Sequence, residues 1–173
     1  YKLRTLRKTD TFCLQAQAGV PHNVTFSKCV FLANSAPHGD GGAVYARTSG
    51  LGFVIFDDCL FQGNSADFGL GGAVAAVGGR IIFHDSIFVG NVAKNAGAVS
   101  LNWGGLVGGC LFSNNVALGG SGGAVFAAQA DLNPTETVKN TPNVQVRMSG
   151  FPKSHLPVLP LTLVTVQTDY GDC

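Results

Sequence analysis

Hydrophobic and polar positions alternate along this chain in short bursts rather than in long helical stripes. Val24-Thr-Phe26-Ser places Val24 and Phe26 on one face and Thr25 and Ser27 on the other. The same burst returns as Val54-Ile-Phe56-Asp, Ile81-Ile-Phe83-His and Gly105-Leu-Val107-Gly. Each time the alternation breaks on the next residue, at Lys28, Asp58, Asp85 and Gly109, which predicts a corner between two strands. Inward positions resume at Cys29 and Phe31 and at their counterparts. A third strand comes after a Gly-Ala-Val turn, with Val44, Val74, Val99 and Val125 inward and Tyr45, Ala75, Ser100 and Phe126 outward.

These bursts belong to one repeat. Phe31, Phe61, Phe88 and Phe112 are each followed three residues later by Asn34, Asn64, Asn91 and Asn115. The paired turns are Gly41-Gly-Ala-Val44, Gly71-Gly-Ala-Val74, Ala96-Gly-Ala-Val99 and Gly122-Gly-Ala-Val125. The Phe-to-Phe spacings are 30, 27 and 24 residues, so connections vary while strand positions hold. Repeated units of this length stack into solenoids. Three short strands per unit predict an all-β chain, a parallel β-helix of about four to five coils. Equivalent residues of adjacent coils then stand ~4.8 Å apart. The phenylalanines form an internal aromatic stack, and the asparagines form an amide ladder in which each side chain bonds to the next. The glycine pairs supply positive φ at a tight turn.

Paired Phe-x-x-Asn and Gly-Gly-Ala-Val motifs over residues 24–128 resemble the polymorphic outer-membrane protein repeat of chlamydial surface proteins. Similar repeats occur in large surface or secreted proteins of algae and other microbes. The third copy departs from the motif, with Ala96 for the first Gly and Ser86 for the Cys. The resemblance implies a right-handed, pectin-lyase-like parallel β-helix displayed outside the cell, in an adhesive or scaffolding role. Nothing in the chain matches the membrane-embedded barrel of the chlamydial proteins.

Outside the repeat, residues 1–23 read as a cap or a worn coil. Residues 24–130 are the repeats. Residues 131–173 carry the prolines and two alternating strands, Asn143–Met148 and Leu161–Gln167. This C-terminal β extension is expected to be a cap or the start of a β-sandwich module, the latter because it is similar to segments downstream of such helices in algal surface proteins. The chain is expected to be a piece of a longer protein, since it starts at Tyr1 and stops just after a strand-like stretch.

Composition narrows the partners. Charged residues make up 12% of the chain, and the net charge is +1. That balance gives no field suited to nucleic acid or an anionic membrane. No apolar run reaches the ~18 residues needed to cross a bilayer. The expected partners are other proteins, surface glycans or neighbouring subunits of an assembly, at the cell surface or outside the cell.

Candidate chemistry is sparse. Cys29, Cys59 and Cys110 share an inward column with Ser86 and read chiefly as buried thiols, with a Cys29–Cys59 bridge the lesser reading. Cys13 and Cys173 lie outside that column. Parallel β-helices include polysaccharide lyases and hydrolases, so Asp57, Asp58, His84 and Asp85 are the candidate acid–base cluster, with Lys28 and Arg80 nearby. Lys28 and Asp58 are expected to form a surface ion pair. His38-Gly-Asp40 reads as a turn because its acid does not recur from repeat to repeat. Trp103 lies in a Gly-rich connection, either packed or available for contact. No cofactor or metal motif is present. Asn23-Val-Thr25 is the only N-glycosylation sequon, with Asn23 as acceptor.

These features leave three readings. The first is a non-enzymatic structural or adhesive module of a larger secreted or surface protein, with Tyr45 and Phe126 among its contact positions. The second is a polysaccharide-active enzyme using the Asp57 corner. The third is a subunit fragment of an extracellular appendage or filament.

Overall fold

The computed structural model describes residues 6–7, 12–16, 23–48, 53–78, 80–102, 105–119, 122–128, 139–140, 145–149 and 165–169. Every regular element among them is a strand. The first are β1 (Leu6–Arg7) and β2 (Phe12–Ala16). One coil holds β3 (Val24–Ser27), β4 (Val30–Leu32) and β5 (Val44–Thr48). The next holds β6 (Phe53–Asp57), β7 (Leu60–Gln62), β8 (Ser65–Leu70) and β9 (Val74–Val77). A third comprises β10 (Arg80–His84), β11 (Ile87–Val89), β12 (Val92–Asn95) and β13 (Val99–Asn102). The fourth comprises β14 (Gly105–Gly108), β15 (Leu111–Ser113), β16 (Val116–Ala117) and β17 (Val125–Ala128). After them come β18 (Lys139–Asn140), β19 (Gln145–Ser149) and β20 (Thr165–Asp169).

All pairing among the described residues is parallel and joins one coil to the next. Phe31 pairs with Phe61, Phe61 with Phe88, and Phe88 with Phe112. Three turns therefore separate the first and last phenylalanine, and the molecule is a parallel β-solenoid. Its sheets run β1-β4-β7-β11-β15-β18, β14-β10-β6-β3, β16-β12-β8 and β2-β5-β9-β13-β17-β19-β20. Strands β19 and β20 continue the last of these in parallel register, Val125 beside Val146 and Val146 beside Val166. Residues 17–22, 103–104, 129–138 and 150–164 fall outside the described residues, and with them Trp103; so does Cys173.

The coil has four sides, not three. The additional sheet, β8, β12 and β16 with the Ser35–Ser65 bridge, comes just after each ladder asparagine. Each of these strands keeps one alanine of the column Ala36, Ala66, Ala93 and Ala117 over the core, and Ala66 and Ala93 are fully buried. A stretch with a single inward alanine shows no alternation to read.

The core is two aromatic stacks. Phe31, Phe61, Phe88 and Phe112 lie 4.6–4.7 Å apart with rings nearly parallel. Phe26, Phe56 and Phe83 form a second stack at 4.9 and 5.2 Å. The stacks meet edge to face, as between Phe56 and Phe61 at 5.4 Å and 72°. Such geometry sets positive ring edges against negative faces, and stabilises each pair by ~0.5–1.5 kcal/mol beyond area burial. Cys29, Cys59, Ser86 and Cys110 fill the adjoining column, and Cys29 and Cys59 are thiols not joined in a disulfide.

Three corners per coil use left-handed backbone. Lys28, Asp58, Asp85 and Gly109 have φ of 55°, 51°, 48° and 62°, which turns the chain where the alternation breaks. Ala33, Gly63, Gly90 and Asn114 make the next corner. At the third, Gly41, Gly71 and Gly122 have φ of 68°, 66° and 63°, and Ala96 adopts 57° in the same place. The third copy therefore keeps the turn despite its alanine. The second glycine of the pair serves a different need. A Cβ on Gly72 would sit 2.2 Å from the carbonyl oxygen of Gly97 in the next coil, so only glycine lets the coils close to strand spacing.

Candidate functional site

The ladder lies just inside the corner after the phenylalanine column. Asn34 donates to the Oδ1 of Asn64 from both its main-chain N–H and its Nδ2, at 3.0 and 2.9 Å. Asn64 treats Asn91 likewise, and Asn91 treats Asn115. The second Nδ2 hydrogen points back one coil, from Asn64 to the Phe31 carbonyl, Asn91 to Phe61 and Asn115 to Phe88. Each interior amide is thereby satisfied on every polar group, which burial in this core demands. The row has a direction, with donors facing the later coil. At its start the Oδ1 of Asn34 is buried and has no partner among the described residues.

Ser86 substitutes for cysteine in a similar way. Its Oγ accepts the Cys59 N–H at 3.1 Å and donates toward the His84 and Phe56 carbonyls. Cys59 donates its thiol hydrogen to the Asp57 carbonyl at 3.3 Å. Burial pushes the Cys59 thiol up from 9.0 to about 11, with the neighbouring Cys29 sulfur adding to the rise. The Cys59 thiol is held protonated and inward, the reverse of what a nucleophile requires.

The acidic cluster sits at the first corner, outside the core. His84 is in register with Asp57, one coil away. The His84 Nδ1 lies 3.4 Å from the Asp57 Oδ1 and 3.2 Å from the Asp85 Oδ2. Ser27 donates from its Oγ to the Asp57 Oδ2 at 3.3 Å, so a polar row crosses three coils. All of its members are well exposed, and such pairs are each worth under ~1 kcal/mol. Lys28 and Asp58 occupy neighbouring coils of the same corner but form no ion pair within 4.0 Å. Both are exposed at a left-handed corner, where water solvates each charge without the partner. Arg80 instead lies over the Phe53 ring, 5.5 Å from its centroid. Among the described residues no three His, Cys, Asp or Glu side chains are placed to hold a metal ion. Among the same residues no helix is long and apolar enough to cross a membrane.

The outer faces carry features that the repeat pattern does not announce. On the sheet containing β4, β7, β11 and β15, Val30, Leu60, Ile87 and Leu111 stand in register as an outward aliphatic column. Val30 and Ile87 remain 37% and 39% exposed. Phe68 is 72% exposed and stacks on His38 at 6.1 Å. The nearby Asp40 accepts the Leu70 N–H through its Oδ1 at 2.8 Å, joining two coils at that turn. Leu118 is 64% exposed. Tyr45 and Phe126 are only half-buried, whereas Ala75 and Ser100 between them are 2% exposed, so that column is less open than its varied residues indicate.

The family model for the Chlamydia polymorphic membrane protein (Pmp) repeat matches residues 109–128. That span runs from the corner at Gly109 through Phe112 and Asn115 to the end of β17, which is one coil without its first strand. The other three coils place their own phenylalanine, asparagine and alanine–valine turn in the same register, with connections of different length. One coil of this parallel β-solenoid thus carries a Pmp-type repeat. Comparison with curated proteins and with solved structures gives no match. In this Pmp-type helix the hallmark residues Phe, Asn and Gly are accounted for by stacking, amide pairing and coil approach, and the module fits a surface-protein repeat.

Proposed function

We propose that this chain is a non-enzymatic structural or adhesive module of a larger surface protein, presenting a rigid face to other proteins or to glycans. The observation that carries the reading is the division of labour across the wall. The recurrent residues point inward and satisfy one another, while the outer aliphatic column, Phe68 and Leu118 have no use in the core. Outward apolar residues arranged on a rigid lattice bind without paying for loop ordering. The cell-surface location is supported by the family to which the repeat points. At the acidic corner, both carboxylates and Ser27 are engaged with one another and His84, which favours the module reading over a polysaccharide-cleaving one.

The test is binding of the purified chain to intact cells of its source and to their extracted surface glycans. Phe68→Ser combined with Leu118→Ser should reduce binding at least tenfold while leaving Tm unchanged. Unchanged binding would sink the reading. So would polysaccharide cleavage that is lost in Asp57→Asn, His84→Ala or Asp85→Asn.

A further inference from the structure

We propose that the short third coil leaves a notch on the fourth side of the solenoid, and that this notch binds one hexopyranose residue of a surface glycan against the free face of Phe68. The inference rests on the surface-module reading and names its partner. Seven positions separate the ladder asparagine from the third-corner residue in the first, second and fourth coils, 34 to 41, 64 to 71 and 115 to 122. Only five do so in the third coil, 91 to 96. The register shows where the difference falls. Strands β8 and β12 pair as far as Ala66 and Ala93 and resume at Leu70 and Asn95, so Asp67, Phe68 and Gly69 stand opposite Lys94 alone. In the fourth coil the Leu118 N–H donates to the Ala93 carbonyl at 2.8 Å, which sets Leu118 beside Lys94 from the other direction. Phe68 and Leu118, 72% and 64% exposed, therefore flank the short coil. Two strand spacings, ~10 Å, lie between their coils.

The Phe68 wall is held in place. Its ring lies 15° from parallel with that of His38 in the preceding coil, so one face is turned to His38 and the other to the notch. The Asp40 Oδ1 accepts the Leu70 N–H at 2.8 Å. Gly69 approaches the first coil so closely that a Cβ there would sit 2.1 Å from the Gly39 carbonyl oxygen. The ring is thus presented with little ordering left to lose on binding. Polar side chains border it. Lys94 and Asp67 are exposed and form no ion pair within 4.0 Å among the described residues, and Asn95 follows, half-buried.

A pyranose matches this mixture of surfaces. Its C–H bonds, slightly positive, lie against the negative face of an aromatic ring. Its rim of hydroxyls accepts from the Lys94 ammonium and donates to the Asp67 carboxylate. An apolar side chain in the same place would strip water from these groups and return no hydrogen bond. With one cation and one anion beside the ring, the sugar that fits is neutral.

The test is saturation-transfer NMR on the whole chain with methyl β-galactoside, methyl β-glucoside and methyl α-mannoside. At least one binds, with saturation concentrated on the C–H protons of one ring face. Phe68→Ala, a surface change that leaves Tm unaltered, weakens that hexoside roughly tenfold. Phe68→Trp retains it, and Lys94→Met weakens it while the same protons are saturated. Failure of all three hexosides to bind, or binding indifferent to Phe68→Ala, overturns the notch. Periodate, which cleaves the vicinal diols of surface sugars, separates this inference from the reading beneath it. Cell binding that survives periodate yet falls in the Phe68→Ser, Leu118→Ser chain is a protein contact, which overturns the sugar and leaves the module reading standing. Phe68-dependent hexoside binding by a chain that binds no cells supports the notch and overturns the module reading.

Discussion

The main-chain N–H and the side-chain Nδ2 of Asn64 both donate to the Oδ1 of Asn91, each at 2.9 Å. One oxygen therefore takes two bonds from a single residue of the neighbouring coil, and removing Asn64 disturbs both neighbours at once. Asn64→Leu leaves the Asn34 Nδ2 and main-chain N–H without their acceptor and takes a donor from the Phe31 carbonyl. Stranded buried groups cost ~1–3 kcal/mol each, so the loss in urea unfolding should be about 3–5 kcal/mol. A neutral Asn64→Leu would contradict the ladder.

Asn34→Leu should behave differently. It removes an acceptor that is already buried and has no partner among the described residues, and the Asn64 Oδ1 keeps the main-chain N–H of residue 34. The expected change is within about 1 kcal/mol, because one lost bond is offset by one removed penalty. A cost equal to that of Asn64→Leu would show that the Asn34 oxygen has a donor.

Two glycines separate the needs of backbone shape and of coil approach. A Cβ on Gly72 would meet main-chain oxygens of Gly97 and Val92 at 2.2 and 2.5 Å, and neither can yield without shifting a coil. Gly72→Ala should cost at least about 3 kcal/mol. Gly63 has φ of 62° but open space around it, and Ala33 takes the same place one coil earlier at φ of 53°. Gly63→Ala should therefore cost only ~1–2 kcal/mol of left-handed strain. Chemical denaturation of the two variants side by side checks the contrast.

Alkali should weaken the fold through Cys59. Its folded-state thiol titrates at about 11 against 9.0 unfolded, because burial disfavours the thiolate. Between these values the unfolded chain sheds a proton that the folded chain keeps. The stabilisation is complete below pH 9.0 and is lost as pH rises through 11. A gap of this size corresponds to ~2–3 kcal/mol. Cys59→Ala should flatten the stability-versus-pH curve across that window, and an unchanged slope would count against the buried thiol as its source.

Much of this architecture was legible from residues that must face each other. Phe31, Phe61, Phe88 and Phe112 recur because a ring stacks best on a ring, and the Val24–Phe26 alternation shows its face within one strand. The fourth side of the coil was not legible, since β12 and β16 each turn a single small residue inward and give alternation nothing to repeat. Ion pairing at the first corner was misjudged for a related reason. Sequence places Lys28 and Asp58 in adjacent coils, but only side-chain direction decides whether the charges meet, and the two point into water. The exposed Phe68 was hidden because it lies in β8, a strand whose counterparts in the other coils are shorter.

The polarity of the asparagine row bears on how long such a protein can be. A coil laid before Asn34 that brings an asparagine of its own fills one vacant acceptor and leaves another of the same kind. Every increment is then equivalent, and no coil carries information about how many others there are. Length becomes a matter of gene duplication rather than of chemistry, and growth stops only where a segment satisfies the last oxygen without offering a new one.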